Sequence, residues 1–330
     1  MKVAVFDTHK FEQKAFSEQL KSFPSLEFKF LEPRLTSQSV SLAVGCEAVC
    51  AFVNDKLDAT TLAELKRLGI KAIALRSAGF NHVDLNAARE LGLAVMRVPA
   101  YSPYSVAEHA VALLMTLNRK LHKALPRVRD LNFSLEGLVG FDLHGKTVGV
   151  IGTGRIGEAF ARIMCGFGCR VLAYDKFPNE PLAEELKIQY VGLDELLSES
   201  DVISLHLPLT AETHHLIDAK AMSRLKSCAI IVNTGRGALI ETHALINALK
   251  KQTIAGACLD VYEVEEGVFF NDLSESGIDD DLLARLLTFP NVIMTSHQAF
   301  LTNEALHNIA EQTLQNLVSF ESGKTINSVL

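Results

Sequence analysis

What most constrains this chain is an alternation that runs through its whole length, short apolar runs followed by amphipathic stretches. Lys2–Phe6, Glu27–Leu31, Ala48–Val53, Ala72–Leu75 and Ala94–Val98 read as strands. Between them, Phe11–Phe23, Asp58–Leu68 and Asp84–Leu91 place apolar residues at i, i+3 and i+4 and read as helices. Strands alternating with helices build a parallel sheet covered on both faces, so the expected class is α/β. A longer helix begins near Ser102, where Ser102 can cap it and Pro103 suits a first turn whose N–H has no helical partner. The less regular stretch from about 120 to 145, with Gly137, Gly140 and Gly145, reads as a crossover between domains. A second series follows at Thr147–Ile151, Arg170–Tyr174, Val202–Leu207, Ala229–Val232, Ile254–Leu259 and Val292–Thr295. Its helices are Glu158–Gly166, Asp194–Ser198, Ala219–Leu225 and Thr242–Lys250, and one last helix runs from Thr302 to about Ser322. At 330 residues the chain has room for about two doubly wound domains.

Composition excludes several classes. A net charge of −7 leaves no cationic field for nucleic acid or anionic lipid. Apolar runs such as Ala110–Met115 fall far short of the ~20 residues of a membrane span. The apolar N-terminus is stopped at Asp7, His9 and Lys10, so it is no signal peptide and a cytoplasmic protein is expected. The six cysteines include two C-x3-C pairs, Cys46/Cys50 and Cys165/Cys169, in apolar surroundings that favour free thiols. His9, His82, His109, His122 and the His214–His215 pair have no partners at diagnostic ligand spacing, so no metal is expected.

The most specific motif is Gly152-Thr-Gly154-Arg-Ile-Gly157. It follows one strand, opens a helix and is trailed by a second strand ending at Asp175, the context a dinucleotide fingerprint requires. Gly152 permits the tight turn, Gly154 lets a pyrophosphate approach the backbone, and Gly157 allows helix and strand to pack closely. A carboxylate at Asp175 would accept hydrogen bonds from ribose hydroxyls and repel a 2′-phosphate, which favours NAD over NADP. Three further segments end apolar strands with polar residues: Asn233-Thr-Gly-Arg236-Gly237, Asp260 to Glu265–Glu266, and Thr295-Ser-His297-Gln298. An Arg, a carboxylate and a His at one sheet edge can divide a carbonyl reduction between them. The Arg forks a substrate carboxylate, the His moves the hydroxyl proton, and the acid stabilises the imidazolium.

On these segments the chain resembles the D-isomer-specific 2-hydroxyacid dehydrogenases, in particular their bacterial fermentative D-lactate branch. Ala74 to Asp84, Val98 to Pro103, Ala107-Glu-His109, the glycine motif, Asn233 to Gly237, Asp260 to Glu263 and His297 to Thr302 match in order and approximate spacing. Phe269-Phe-Asn-Asp272 points to the D-lactate branch. The resemblance implies a Rossmann NAD-binding domain at 101–298, inserted into a flavodoxin-like substrate domain made of 1–100 and 299–330. It implies Arg236, Glu265 and His297 as the catalytic set, with Glu265 at the family spacing of five from Asp260. It implies cofactor contacts at Arg155, Ile156, Asp175, His206, Leu207, Pro208, Thr213, Asn233, Thr234, Gly235 and Asp260. Arg76, Ser77, Ala78 and Gly79 look like the substrate-carboxylate loop. An apolar Phe52, with Tyr101 and Phe300, would make a small pocket suited to a methyl group, hence pyruvate and D-lactate. A homodimer or homotetramer joined through the cofactor domain is implied as well. Two alternatives stay open: reduction of another 2-oxo acid such as hydroxypyruvate or glyoxylate, and a cofactor-sensing corepressor of the same fold.

Overall fold

Every strand of the protein runs parallel to its sheet neighbours. Such strands are buried on both faces, and their composition shows it: Ala48–Ala51 and Ile230–Asn233 are buried at every position. The computed structural model describes residues 1–330, which divide into two units, Met1–Ser102 with Leu301–Leu330, and Pro103–Phe300.

The first unit opens with β1 (Lys2–Val5), α1 (Lys10–Gln19), β2 (Glu27–Phe30), β3 (Ala48–Ala51) and α2 (Ala59–Arg67). It continues with β4 (Ala72–Leu75), α3 (Leu85–Glu90) and β5 (Ala94–Met96). The strand order is β2-β1-β3-β4-β5, the flavodoxin-like winding. Leu62, Leu65 and Ala88 cover one face of the sheet, packing against Val49, Ile73 and Val95.

The second unit begins with α4 (Pro103–Asn118), α5 (Leu121–Arg129), β6 (Thr147–Ile151), α6 (Arg155–Gly166), β7 (Arg170–Tyr174), α7 (Glu180–Leu186) and β8 (Gln189–Tyr190). It goes on through α8 (Leu193–Glu199), β9 (Val202–Leu205), α9 (Ala219–Met222), β10 (Ile230–Asn233), α10 (Thr242–Lys250), β11 (Gly256–Leu259), α11 (Asp281–Leu287) and β12 (Val292–Met294). The order β12-β11-β10-β9-β6-β7-β8 reverses direction between β6 and β9, the crevice where doubly wound sheets bind ligands. Helix α12 (Asn303–Glu321) belongs to the first unit and, with α1, covers the second face of its sheet through Ala310, Leu314, Leu317 and Phe16.

Some elements differ from the sequence reading. The strand read as Val202–Leu207 ends at Leu205, and the helix read as Ala219–Leu225 at Met222. The stretch read as an irregular crossover contains α5, a helix that carries Pro126 in its interior. Its apolar residues Leu125 and Val128 face outward, and an apolar pattern that meets no core does not read as a helix. Helices α7 and α11 were too short, and too rich in acids at their starts, to stand out by periodicity.

Candidate active site

The glycine loop is shaped by close approach. A Cβ on Gly157 would lie 1.8 Å from the Gly152 carbonyl oxygen, and Gly152 itself sits at φ +94°. Only glycine meets both demands. Above Gly154, by contrast, nothing lies within 4 Å. Gly154 begins α6 without a side-chain cap, which leaves the first-turn N–H groups without helical partners and pointing at open space. Thr234, on the far side of the β6/β9 crevice in sheet order, keeps a buried hydroxyl with no hydrogen-bond partner. Open space over amide donors and an orphaned hydroxyl fit a phosphate-bearing dinucleotide.

Asp175 follows β7, and its carboxylate accepts from Thr153 N at 2.7 Å and Phe177 N at 2.8 Å. Tyr190 Oη donates to Thr153 Oγ1 at 2.8 Å, so β8 braces the same corner. His206 turns its ring inward to Ser204 Oγ at 2.9 Å and against Phe160, and burial holds it down to about 3. The residue therefore stays neutral, and its backbone and Cβ pack against the glycine loop. Thr213 Oγ1 donates to Pro208 O and accepts from Thr210 N, which folds the 208–213 loop on itself.

Three polar residues end adjacent strands. Asn233 closes β10 and braces the turn that carries Arg236, with its side chain donating to Arg236 O at 2.9 Å and accepting from Gly235 N at 3.1 Å. A Cβ on Gly237 would overlap the Tyr262 carbonyl at 1.9 Å, so this turn packs directly on the segment after β11. There Glu265 Oε1 accepts from Tyr262 N at 3.1 Å and Oε2 lies 2.8 Å from His297 Nδ1. Glu266 is exposed, as is Val264, so the register turns Glu265 alone toward the histidine. His297 follows β12 with φ +54°, left-handed backbone that a non-glycine residue adopts at a cost of about 1 kcal/mol or more.

What holds His297 in that conformation is Asp260, which is fully buried. The Asp260 carbonyl accepts from His297 N at 2.6 Å. Its carboxylate accepts from Thr295 Oγ1 at 2.5 Å and from the Gln298 and Ala299 amides at 2.9 Å each, with His109 Nε2 at 3.4 Å. Burial acts to raise this carboxyl, but the bonds from His109, Thr295, Ala299 and Gln298 outweigh it and hold the acid below its usual range. Asp260 thus supports the histidine turn from beneath rather than offering an open carboxylate. Its partners His109 and Thr295 were missed as site residues; the visible signal was a polar His on the apolar face of α4.

In the first unit, Phe52 ends β3 and Arg76 ends β4. Arg76 is almost wholly buried: it donates to the Phe6 and Asp7 carbonyls at 2.9 and 3.1 Å and pairs with Glu12 at 3.2 Å. Its guanidinium lies 5.0 Å from the Phe52 ring centroid. It therefore underpins the loop that follows, in which Ser77 is buried and Ala78 and Gly79 are partly exposed. Ser77 Oγ donates to Gly79 O at 2.7 Å and Arg97 to Ala78 O at 2.8 Å, which fixes the loop. Tyr101 accepts from Asn308 at its carbonyl. Phe300, buried, closes the second unit.

Residues 111–299 match the family model described as D-isomer specific 2-hydroxyacid dehydrogenase, NAD binding domain. A D-lactate dehydrogenase of Escherichia coli (strain K12) is 54% identical over 325 residues, 98% of each chain. Among solved structures, apo D-lactate dehydrogenase from Escherichia coli aligns with a TM-score of 0.90 at 51% identity over 100% of both chains. The pyruvate reductase of Chlamydomonas reinhardtii aligns with a TM-score of 0.92 at 43% identity, over 98% of this chain and 97% of that one.

Proposed function

We infer that this chain, which belongs to the D-isomer specific 2-hydroxyacid dehydrogenase family, is an NAD-dependent D-lactate dehydrogenase that interconverts pyruvate and D-lactate. The observation that carries its chemistry is the 2.8 Å pairing of His297 Nδ1 with Glu265 beside the strand end that bears Arg236. Bound NADH supplies the hydride that reduces the keto carbon. With Nδ1 held by Glu265, His297 keeps Nε2 to give the proton that converts the resulting alkoxide to a hydroxyl, and in lactate oxidation it takes that proton back. The carboxylate of Glu265 stabilises the positive charge on the imidazolium. Arg236 forks the substrate carboxylate and polarises the keto oxygen, a task its planar guanidinium suits better than an ammonium would.

Gly152, Gly154, Arg155, Ile156 and Gly157 cradle the pyrophosphate, and Asp175 selects NAD through the ribose. Leu207, Pro208, Thr213, Asn233, Thr234 and Gly235 line the rest of the cofactor site, with His206 and Asp260 acting from behind it. Residues 1–100 and 299–330 serve as the substrate domain and 101–298 as the NAD-binding domain. In the former, the Ser77–Gly79 backbone receives the substrate carboxylate and Phe52 favours a methyl group. Steady-state assays with NADH and pyruvate, hydroxypyruvate, glyoxylate and larger 2-oxo acids test the reading. Pyruvate should give the highest kcat/KM and D-lactate as product; tenfold preference for another acid would overturn the substrate assignment, and no turnover at all would favour a cofactor-sensing role.

The partner of the second unit is a further copy of this chain. Residues 121–139 expose Leu125, Val128, Leu131, Phe133, Leu135 and Val139, an apolar arm of a size that monomers rarely leave in water. Leu131→Asp with Leu135→Asp should convert a dimer or tetramer to monomers by light scattering; an unchanged mass would refute it. A cytoplasmic setting suits the thiols, since burial keeps Cys169 at about 11 and Cys50 at about 12, protonated and unreactive. No helix is long and apolar enough to cross a membrane.

A further inference from the structure

Besides the strand-end site, the second unit brings the adjacent pair His214 and His215 together with Glu263, which lies 48 positions beyond His215. That separation hid them from any search by ligand spacing. One ligand atom from each lies within 4.8 Å of the others. His215 Nε2 is 2.6 Å from Glu263 Oε1, and the two imidazole rings sit side by side with centroids 3.9 Å apart. We propose that His214, His215 and Glu263 form a binding site for one borderline divalent cation of the Zn²⁺, Co²⁺ or Ni²⁺ class.

The donor set selects the ion. Two imidazoles and one carboxylate suit zinc and its neighbours, whereas magnesium and calcium take oxygen ligands. Metal–ligand bonds of about 2.0–2.2 Å place neighbouring ligand atoms about 3.4 Å apart around a tetrahedral ion. The His215–Glu263 contact opens by less than an ångström to admit it, and exposed His214 closes in by rotation. Water completes the coordination from the solvent side.

Glu263 is already oriented as a ligand. Thr242 holds its other oxygen, Oε2, through its hydroxyl at 2.6 Å and its amide at 3.1 Å, and so leaves Oε1 to the ion. Partners of this kind fix the direction of a ligating carboxylate. Burial acts to raise the Glu263 carboxyl, but the bonds from Thr242 and His215 prevail and keep it below its usual range, ionised and ready to ligate. His215 is held at φ +53° with its amide bonded to Ala238 O, a backbone cost of the kind that collects at functional sites. An ion here would tie the loop before α9 to the segment after β11.

Titration of the untagged full-length protein with Co²⁺ tests this directly, read by calorimetry and by the visible d–d bands of the bound ion. One ion per chain should bind. His214→Gln, on the surface and clear of the fold, should weaken binding at least tenfold, as should Glu263→Gln, while His243→Gln on α10 should leave it unchanged. Absence of one-to-one binding, wild-type affinity in His214→Gln, or an equal loss in His243→Gln would each overturn the site.

Discussion

Two buried carboxylates, Asp55 beyond β3 in the first unit and Asp260 beyond β11 in the second, meet opposite fates. Both are all but inaccessible, and in both burial acts to raise the carboxyl. Asp260 has His109, Thr295 and two backbone amides to bind, and these prevail. Asp55 has the Leu35 and Phe52 amides at 2.6 Å and the charge of Arg76, and burial prevails, pushing it from 3.8 to about 7. Donors decide the sign: four hydrogen bonds offset burial at Asp260, whereas two amides and one guanidinium charge do not at Asp55. The contrast extends to their surroundings. In the first unit Glu12 Oε2, Arg76 Nη1 and Asp7 Oδ2 are buried without hydrogen-bond partners, so charge rather than geometry holds that edge. In the second unit the donors around Asp260 are placed one by one, and the residue they position is His297.

The sharpest test of that difference is catalytic. His297→Gln should lower kcat for pyruvate on the order of 10²–10⁴ with little change in Tm, because the side chain stands at the open rim of a turn that others hold. Glu265→Gln, which removes the carboxylate that orients His297 through Nδ1, should lower kcat by a smaller factor than His297→Gln does. A retained kcat in either variant breaks the proposed roles.

Asp260→Ala should cost about 3–5 kcal/mol of stability, since it strands buried donors, and should lower kcat as the His297 turn slackens. Denaturant unfolding and kinetics together check it; loss of stability alone, with kcat intact, would separate Asp260 from His297. In the first unit, Glu12→Gln should cost about 3 kcal/mol by removing the first charge partner of buried Arg76. The double variant Glu12→Met with Arg76→Met should recover much of that loss, with the remaining defect in KM. Additive losses would show that this edge is as geometrically specified as the other.

The last test is a pH slope. The folded chain holds the Asp55 proton more tightly than the unfolded chain does, so between 3.8 and about 7 its contribution to stability is lost as pH rises. Asp260, held low, works in the other sense: its contribution is present above the ordinary carboxylate value and is lost as pH falls below it. Asp55→Asn should flatten the fall in stability between pH 4 and 7. An unaltered slope in urea unfolding would show that Asp55 is ionised throughout.

Much of this molecule was legible as pattern. Strand–helix alternation, the spacing of Gly152, Gly154 and Gly157, and polar residues closing apolar strands are local, and local periodicity is what a linear chain displays. Thus the sheets, the glycine cradle and the strand-end positions of Arg236, Glu265 and His297 could be read residue by residue. The outward-facing helix α5 could not, because an apolar stripe signals burial only where a core exists to receive it. Nor could the inward turn of Arg76, whose guanidinium is fixed by Glu12 on a helix 64 positions earlier. What the sequence by itself determined was which residues arrive at each sheet edge. Only the tertiary structure decided which of them are open and which are buttresses: Asp260 beneath His297, Arg76 beneath its loop, and Glu263 beside two histidines. The physical reason is that a polar side chain's role depends on the donors and acceptors around it, and those come from strands and helices far apart in the chain.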